Sequence, residues 1–258
     1  MTYLERMRPT PGLRVLVTAG ASGLGAAIAG AFCEMGAKVV ICDLDRQALD
    51  RFAATHPGVG AVHADVSDPD AVDRLFAGID GLDVLVNNAG IAGPTGPVET
   101  LEIDDIRRTL DVDVMGQFLT IRRAAPLLRA SGAGAIINIS SVAGRLGYAM
   151  RTPYAVAKWG IVGLTASLAK EMGPDGIRVN AILPGPVRGA RMDGVIRDRA
   201  AAQGITFEEM EAEYLSNISL RRMVGPEDVA SLALFLCSAA GRNISGQAIS
   251  VCGNVETL

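Results

Sequence analysis

Short runs of apolar residues rich in valine and isoleucine alternate along the chain with longer segments in which apolar residues recur at helical spacing. Continuous apolar runs are typical of strands buried on both faces of a parallel sheet, and helical spacing indicates helices that cover such a sheet. The pattern predicts seven strands, at Arg14–Thr18, Lys38–Cys42, Gly60–His63, Val84–Asn87, Ala135–Ile139, Arg178–Ile182 and Ala248–Val251. It also predicts helices that begin near Gly23, Asp45, Asp68, Ile103, Pro153 and Pro226.

This alternation predicts the α/β class: a single-domain Rossmann fold, which is a doubly wound seven-stranded parallel sheet with helices on both faces. At 258 residues, of which 49% are hydrophobic, the chain can bury one large core, and no second domain is required. The exception to tight alternation is a long charged segment, residues 189–223, between a strand and the next helix. Because loops of that length are usually lids or binding elements, we expect one domain over residues 1–258 in which 189–223 is a substrate-binding insertion.

Composition argues against several classes of function. The net charge of −4 and the lack of a basic stripe argue against nucleic acid as a partner. No apolar run reaches the ~18 residues of a membrane span, and no apolar region of a secretory signal is recognised, so neither a membrane nor secretion is expected. The four cysteines lack metal-ligand spacing and only two histidines are present, so no metal site is expected. Reduced thiols in a cytoplasmic protein are the expectation.

The turn after the first strand suits a dinucleotide. Strand Arg14–Thr18 runs into a turn of small residues, 19–25, and then into an apolar helix. Such a turn lets backbone N–H groups and the positive end of the helix dipole approach a pyrophosphate, although it could also be only a tight strand-to-helix connection. Asp43 ends the next strand, eighteen residues after Gly25, close to the ~20-residue offset at which an acid accepts the ribose hydroxyls of NAD. Because Asp43 would repel a ribose 2′-phosphate and Arg46 is the only nearby cation, the predicted cofactor is NAD rather than NADP.

Tyr154, Lys158 and Ser141 combine the groups that proton transfer beside a nicotinamide requires. On a helix, residues four positions apart lie on the same face, so the Lys158 ammonium can stabilise the phenolate of Tyr154. The spacing alone is weak evidence, since any surface pair of these residue types can produce it. Only three of the 24 basic residues are lysines, however, so arginine is the default cation of this chain and a lysine at position 158 supports a specific role.

Taken together, these motifs resemble those of the short-chain dehydrogenase/reductase family, of the roughly 250-residue type, and the resemblance spans about Leu13 to Gly253. Any one of the motifs is common, but all of them in order on the expected elements are highly specific. The segments that carry the resemblance are Thr18–Gly25, Asp65-Val66, Asn87–Gly90, Ser141 with Tyr154 and Lys158, and Pro184-Gly185.

The resemblance implies a role for each of these segments. Cofactor contacts are implied for Gly20, Ser22, Gly23 and Leu24 in the turn, Asp65 and Val66 beside the adenine, Asn88, Ala89 and Gly90 along the ribose, and Pro184 to Val187 at the nicotinamide. Tyr154 would remove the proton of a substrate alcohol while hydride leaves the same carbon for NAD. Ser141, rather than Ser140, would hydrogen-bond the developing oxyanion, and Lys158 would also hold the nicotinamide ribose.

Four positions depart from the family's usual sequence. Ala19 stands where a first glycine is typical, Gly189 where a threonine often binds the carboxamide, and residues 251–254 differ near a subunit interface. Asp113 replaces the asparagine that completes the catalytic group. It could keep the structural task of that residue and add a negative charge near Lys158, or it could be a helix residue with no direct catalytic part.

Arginines are frequent in the two segments that set substrate choice in this family, and their forks suit anionic groups. We therefore expect substrate contacts from Arg145, Tyr148, Arg151 and Arg188, although any single arginine could instead be solvated or paired with an acid. The predicted substrate is a small polar secondary alcohol, and an anionic group on it would suit these arginines. A 3-oxoacyl-carrier-protein reductase and a catalytically quiet NAD(H)-binding sensor are the alternatives. The resemblance also implies a homo-oligomer, a homotetramer or a dimer.

Overall fold

The seven predicted strands form one parallel sheet in the computed structural model, which describes residues 2–255. In chain order they are β1 (Arg14–Thr18), β2 (Lys38–Asp43), β3 (Gly60–His63), β4 (Val84–Asn87), β5 (Ala135–Ile139), β6 (Arg178–Pro184) and β7 (Ala248–Val251). The order across the sheet is β3-β2-β1-β4-β5-β6-β7, and every pairing is parallel. This confirms the predicted doubly wound sheet. The strands before β4 are added on one side of β1 and the later strands on the other, so the order of strands reverses between β1 and β4.

Helices connect the strands. They are α1 (Tyr3–Arg6), α2 (Gly23–Glu34), α3 (Arg46–Thr55), α4 (Pro69–Ala77), α5 (Ile103–Leu110), α6 (Gly116–Ser131), α7 (Thr152–Met172), α8 (Ala190–Gln203), α9 (Phe207–Ser216) and α10 (Pro226–Leu236). Each predicted helix start lies within one residue of an observed one, and Asp45 and Asp68 are side-chain caps of the helices that follow them. A π-helical turn, Asp111–Met115, joins α5 to α6. No helix in the described part of the chain is long and apolar enough to cross a membrane.

Both faces of the sheet are buried, which explains the apolar runs of its strands. Val17 and Ile137 pack with α2, α3 and α10 in one core cluster. Leu16 and Ile136, their neighbours in sequence, pack with α4, α6 and α7 in another. Since successive side chains of a strand point to opposite faces, most positions of the central strands need an apolar residue, and the alternation of polar and apolar residues disappears there.

Residues 189–223 are mostly helical, so the expectation of a long loop is wrong. The segment contains α8 and α9, which bury Ile196 and Ala200 from one helix against Met210 and Tyr214 from the other. Each pair is spaced by four residues, which places it on one helical face. The ends of the segment are tied together, because the Arg188 N–H donates to the Val224 carbonyl and the Val224 N–H donates to the Pro186 carbonyl, both at 2.9 Å.

Candidate active site

A cavity of about 460 Å³, called the pocket below, lies where the carboxyl ends of β1, β2, β4, β5 and β6 meet. In open α/β sheets this edge is the usual place for a ligand. The predicted residues that line the pocket are Ser22, Gly23, Leu24, Asp43, Asn88, Gly90, Ser141, Tyr148, Arg151, Tyr154, Lys158, Pro184, Val187 and Arg188. Catalytic, cofactor and substrate candidates from distant parts of the sequence therefore share one cavity.

The small-residue turn leaves the start of α2 open to an anion. Ala19 has a φ of +48° and Gly23 one of +53°, both in the left-handed region. A Cβ atom on Gly25 would lie 2.0 Å from the Ala19 carbonyl oxygen, so the turn can close only with glycine there. Among the described residues, the N-cap Ser22 gives the helix no side-chain hydrogen bond, which leaves the first N–H groups available. These features fit a pyrophosphate.

A hydrogen-bonded bracket fixes this turn to the end of β4. The Asn88 amide donates to the Thr18 and Ala19 carbonyls at 3.0 Å each. In return, the Thr18 hydroxyl oxygen accepts the N–H groups of Asn88 at 3.0 Å and Ala89 at 2.9 Å. Asn88 thus lines the pocket while it also holds the turn in place.

Asp43 presents a fixed carboxylate to the same end of the pocket. Its two oxygens accept the N–H groups of Ala21 and Asp45, both at 3.1 Å. The nearby Arg46 instead contacts a ring nitrogen of His63 at 3.1 Å. The Asp43 carboxylate is therefore oriented by backbone donors, and the nearby cation Arg46 is directed at His63 instead.

Four of the expected cofactor residues do not line the pocket. Gly20 is needed for packing, since a Cβ there would lie 2.7 Å from the Ile41 side chain. Ala89 and Val66 pack in the core that contains α4 and α6. Asp65 turns to Arg108, at 3.1 Å; burial opposes its ionisation, but hydrogen bonds from Ser67 and Arg108 hold its pKa below the usual value. Within this structure their contribution to the site is the support of the turn and of α4.

Arg145 also lies outside the wall of the pocket. Its guanidinium donates to the Ala248 carbonyl at 2.6 Å and to the Ser250 hydroxyl at 3.3 Å, both on β7. In this structure a short hydrogen bond therefore holds its charged end on the backbone of β7, away from the pocket wall, and its assignment as a substrate contact stays a prediction.

The two serines after β5 have different surroundings. Ser140 is buried and its hydroxyl donates to the Lys158 carbonyl at 2.8 Å, so it anchors α7. The Ser141 hydroxyl oxygen accepts the Ala143 N–H at 3.1 Å. A hydroxyl that accepts one bond keeps its proton for donation. Ser141 can therefore donate a hydrogen bond into the pocket.

Tyr154 lies near the start of α7 with two cations close to its ring. The Lys158 Nζ lies 5.4 Å and the Arg151 Cζ 4.9 Å from the ring centroid. The spacing of Tyr154 and Lys158 predicted one of these cations, and the structure adds the second.

Asp113 forms a buried ion pair with Lys158. Its Oδ2 lies 3.0 Å from the Lys158 Nζ, and its Oδ1 accepts the Ile91 N–H at 2.7 Å. Both side chains are almost fully buried, with 0% of the Asp113 side chain and 4% of the Lys158 side chain exposed. A buried ammonium needs such a partner. The structure thus places a negative charge beside Lys158, and a catalytic part for Asp113 stays a prediction.

Several residues of the pocket were not predicted. The pocket is also lined by Met192 and Val195 on α8 and by Tyr214 on α9. Arg199, which is not part of the pocket wall, donates a hydrogen bond to the Tyr214 hydroxyl. The helical spacing of apolar residues in 189–223 could have identified α8 and α9. In the described residues, no group of three or more histidine, cysteine, aspartate or glutamate side chains is placed to hold a metal ion.

Comparison with known proteins gives consistent matches along almost the whole chain. Residues 18–254 match a family described as enoyl-(acyl carrier protein) reductase. Trans-4-hydroxycyclohexanecarboxylate dehydrogenase of Sinomonas cyclohexanicum is 36% identical over 92% of this chain and 90% of its own length. Galactitol 2-dehydrogenase of Agrobacterium fabrum is 35% identical over 92% and 95%, and D-beta-hydroxybutyrate dehydrogenase of Rhizobium meliloti 33% identical over 92% and 96%.

Solved structures agree in fold. The chain superposes on an actinorhodin polyketide ketoreductase with NADPH with a TM-score of 0.91, at 26% identity over 96% of this chain and 98% of that one. Levodione reductase gives a TM-score of 0.89, at 28% identity over 95% and 97% of the two chains.

The ion pair of Asp113 with Lys158 generates a prediction about pH. Asp113→Asn keeps an oxygen for the Ile91 N–H but removes the negative charge beside Lys158. The charge beside the acid–base pair then changes, so the rise of kcat/KM with pH in alcohol oxidation should shift by a fraction of a unit. The measurement is a pH–rate profile, and kcat at its plateau should change by less than about tenfold.

The matched control is Asp111→Asn, because Asp111 is exposed in the same π-helical turn. It should leave the profile in place. Loss of activity at every pH in a folded Asp113→Asn protein would show instead that the carboxylate takes part in the proton path.

Proposed function

The chain belongs to the short-chain dehydrogenase/reductase family, and from that premise we propose that it is an NAD-dependent dehydrogenase that interconverts a small polar secondary alcohol and its ketone. The observation that carries the proposal is that Ser141, Tyr154 and Lys158 line the same pocket as Asp43. The relatives named for hydroxycyclohexanecarboxylate, galactitol and hydroxybutyrate support a secondary alcohol as the substrate class.

In this proposal Tyr154 is the general base for oxidation. Its phenolate takes the proton of the substrate hydroxyl, helped by the cations Lys158 and Arg151 at 5.4 and 4.9 Å from its ring centroid. Ser141 donates a hydrogen bond to the substrate oxygen and orients it. A bound nicotinamide would accept hydride from the carbon that carries this oxygen. In the direction of reduction, Tyr154 returns the proton as the general acid.

Lys158 has two tasks in the proposed mechanism. Its ammonium favours the phenolate, and its position near Gly90 suits a hydrogen bond to the nicotinamide ribose, since a Cβ on Gly90 would lie 3.2 Å from the Nζ. The absence of a side chain at Gly90 therefore leaves the ammonium reachable from the pocket, while Asp113 holds it from the buried side.

Substitution of the acid–base pair tests the mechanism. Tyr154→Phe should lower kcat by about 10²- to 10⁴-fold, because the ring still packs but no group moves the proton, and should leave NAD affinity nearly unchanged. Lys158→Met should reduce both turnover and NAD affinity. Steady-state kinetics and NADH fluorescence titration measure the two effects.

Lys170→Met is the control for the lysine, since Lys170 is exposed on the same helix, and it should behave as the unaltered protein does. Substantial turnover by Tyr154→Phe would refute the assignment of the base. A folded protein that binds NADH but oxidises no alcohol in a broad panel would favour the alternative of a quiet NAD(H)-binding sensor.

The preference for NAD rests on Asp43. Its carboxylate is held by the Ala21 and Asp45 N–H groups at the end of the pocket where α2 begins. There it can accept the two ribose hydroxyls of NAD, whereas a 2′-phosphate would meet a like charge. We predict a preference for NAD over NADP of at least about tenfold in kcat/KM, or roughly 1.4 kcal/mol.

Asp43→Asn should erode this preference, because it removes the charge and keeps an acceptor for the backbone. Asp50→Asn, at an exposed position on α3, is the control. Equal use of NADP by the unaltered protein would contradict the prediction. It would favour a reductase of acyl chains on a carrier protein, an alternative that the family description and the likeness to a ketoreductase with NADPH support.

We also propose that the protein is a homo-oligomer, a homotetramer or a dimer, in the cytoplasm. Apolar side chains stand exposed on neighbouring helices at Phe118, Val156 and Trp159, with 48%, 56% and 50% of their surface accessible. Exposed apolar groups on adjacent helices suit an interface with another copy. Light scattering on the purified protein should give a multiple of the 26.8 kDa chain mass, and a monomer would contradict this proposal. The cysteines of the described residues are all free thiols, in keeping with a reducing compartment.

A further inference from the structure

Two arginines and three tyrosines form a cluster at the side of the pocket away from Asp43. We call Tyr148, Arg151, Tyr154, Arg199 and Tyr214 the arginine–tyrosine cluster. Arg151 lies against two rings, with its Cζ 5.1 Å from the Tyr148 centroid and 4.9 Å from that of Tyr154. Arg199 lies 5.2 Å from the centroids of both Tyr148 and Tyr214. Each guanidinium group thus contacts two of the three rings.

Both arginines of the cluster are buried without an anion. Arg151 is 2% exposed and Arg199 6%. Within residues 2–255 neither forms a salt bridge with a carboxylate, and the Nε of each has no hydrogen-bond partner. By contrast, the more exposed Arg14, Arg123 and Arg129 are each paired with an aspartate.

This distribution of charge is costly unless an anion arrives from outside. Arginine cannot release its proton inside a protein, so burial does not neutralise it. The tyrosine faces, and for Arg151 the Ala92 carbonyl that accepts its hydrogen bond at 2.5 Å, compensate the charge only in part, and an unpaired buried charge is unfavourable. Arg151 lines the pocket with Tyr148 and Tyr214, so a ligand there can supply the missing anion.

Hydrogen bonds within the cluster leave a tyrosine hydroxyl free to donate into the pocket beside Arg151. Arg199 donates to the Tyr214 hydroxyl at 3.0 Å, and the hydroxyls of Tyr214 and Tyr148 are hydrogen-bonded to each other. Two hydroxyls that share one bond and accept one from Arg199 have one proton left to donate. Burial raises the pKa of Tyr148, which keeps that phenol protonated and able to donate at neutral pH.

From these observations, and resting on the function proposed above, we infer that the arginine–tyrosine cluster is a carboxylate-binding subsite and that the substrates are small hydroxy acids. Arg151 and a tyrosine hydroxyl bind the carboxylate, and Arg199 is a positioning residue that acts through Tyr214. One guanidinium fork with one hydroxyl suits a planar, singly charged group. The neighbouring Tyr154 then receives the hydroxyl of the same molecule.

The subsite fits a compact substrate. The rings of Tyr148 and Tyr154 are 6.5 Å apart between centroids, so the carboxylate and the reacting hydroxyl are separated by only a few carbon atoms or by one small ring. Oxidation then converts a hydroxy acid and NAD to an oxo acid, NADH and a proton. The carboxylate is unchanged in this reaction and serves to orient the alcohol.

The first experiment measures binding and requires no turnover. Kd is determined by calorimetry, with saturating NADH present so that the cofactor site is filled, for butyrate against butyramide and for cyclohexanecarboxylate against cyclohexanecarboxamide. We expect at least one carboxylate to bind about tenfold or more tightly than its amide. If no carboxylate binds more tightly than its amide, the subsite does not exist.

Variants then assign the residues. Arg151→Gln should weaken carboxylate binding by about 10- to 100-fold and leave amide binding nearly unchanged, while Arg151→Lys should retain part of the preference. Arg199→Gln and Tyr214→Phe should raise KM for hydroxy acids by more than they raise KM for a neutral alcohol such as cyclohexanol. Arg197→Gln, at an exposed position on the same helix as Arg199, is the control. Equal losses for acids and neutral ligands in folded Arg151→Gln would overturn the assignment.

The outcomes for the subsite and for the proposed function are distinguishable. Tight carboxylate binding without oxidation of any alcohol would leave the subsite in place and refute the dehydrogenase. Oxidation of alcohols with NAD, without preference for acids over their amides, would leave the dehydrogenase and refute the subsite.

Discussion

The buried ammonium of Lys158 is the constraint on which the site depends. A charge with only 4% of its side chain exposed needs an opposite charge within contact, and removal of one partner of such a pair costs about 3–5 kcal/mol. Asp113 supplies that charge from the π-helical turn and is itself held by the Ile91 N–H beyond β4. The pair therefore joins α7, the turn before α6 and the end of β4. Tyr154 lies one helical turn from Lys158, so its position follows from the same pair.

The charged residues around Tyr154 are placed for proton transfer, cofactor binding and substrate binding. Lys158 and Arg151 both lie close to its ring, and Asp113 is paired with Lys158. In the proposed mechanism Lys158 also faces the cofactor and Arg151 the substrate. Binding of an anion at Arg151 would reduce the positive field at Tyr154, whereas binding of cofactor at Lys158 would exclude water from it. In that mechanism the same two cations would therefore take part both in proton transfer and in ligand binding.

Most of the fold could be predicted from the sequence, because burial on both faces of the sheet leaves continuous apolar runs and because Asp45 and Asp68 are explicit caps. The π-helical turn left no such signal. The resemblance implied a negative charge near Lys158, but the contact of Asp113 with Lys158 and Ile91 is visible only in the tertiary packing. Arg145, Arg188 and Arg199 all fall in the arginine-rich segments, yet the Arg145 side chain hydrogen-bonds β7, Arg188 is exposed at the pocket and Arg199 is buried. Only the position of Arg199 among Ile196 and Ala200, at helical spacing, points to its inward direction.

The stem formed by Pro186, Arg188 and Val224 makes residues 189–223 a closed loop of chain whose ends stay fixed whatever lies between them. Once two ends are held, each doubling of the enclosed length adds only about 0.6 kcal/mol of closure entropy. Helices can therefore be inserted, shortened or exchanged beyond the stem without a change in the strand register beneath it. In the proposed mechanism, variation confined to this segment would change which substrate is bound and leave the residues of proton and hydride transfer in place. One sheet could then support enzymes that act on unrelated substrates.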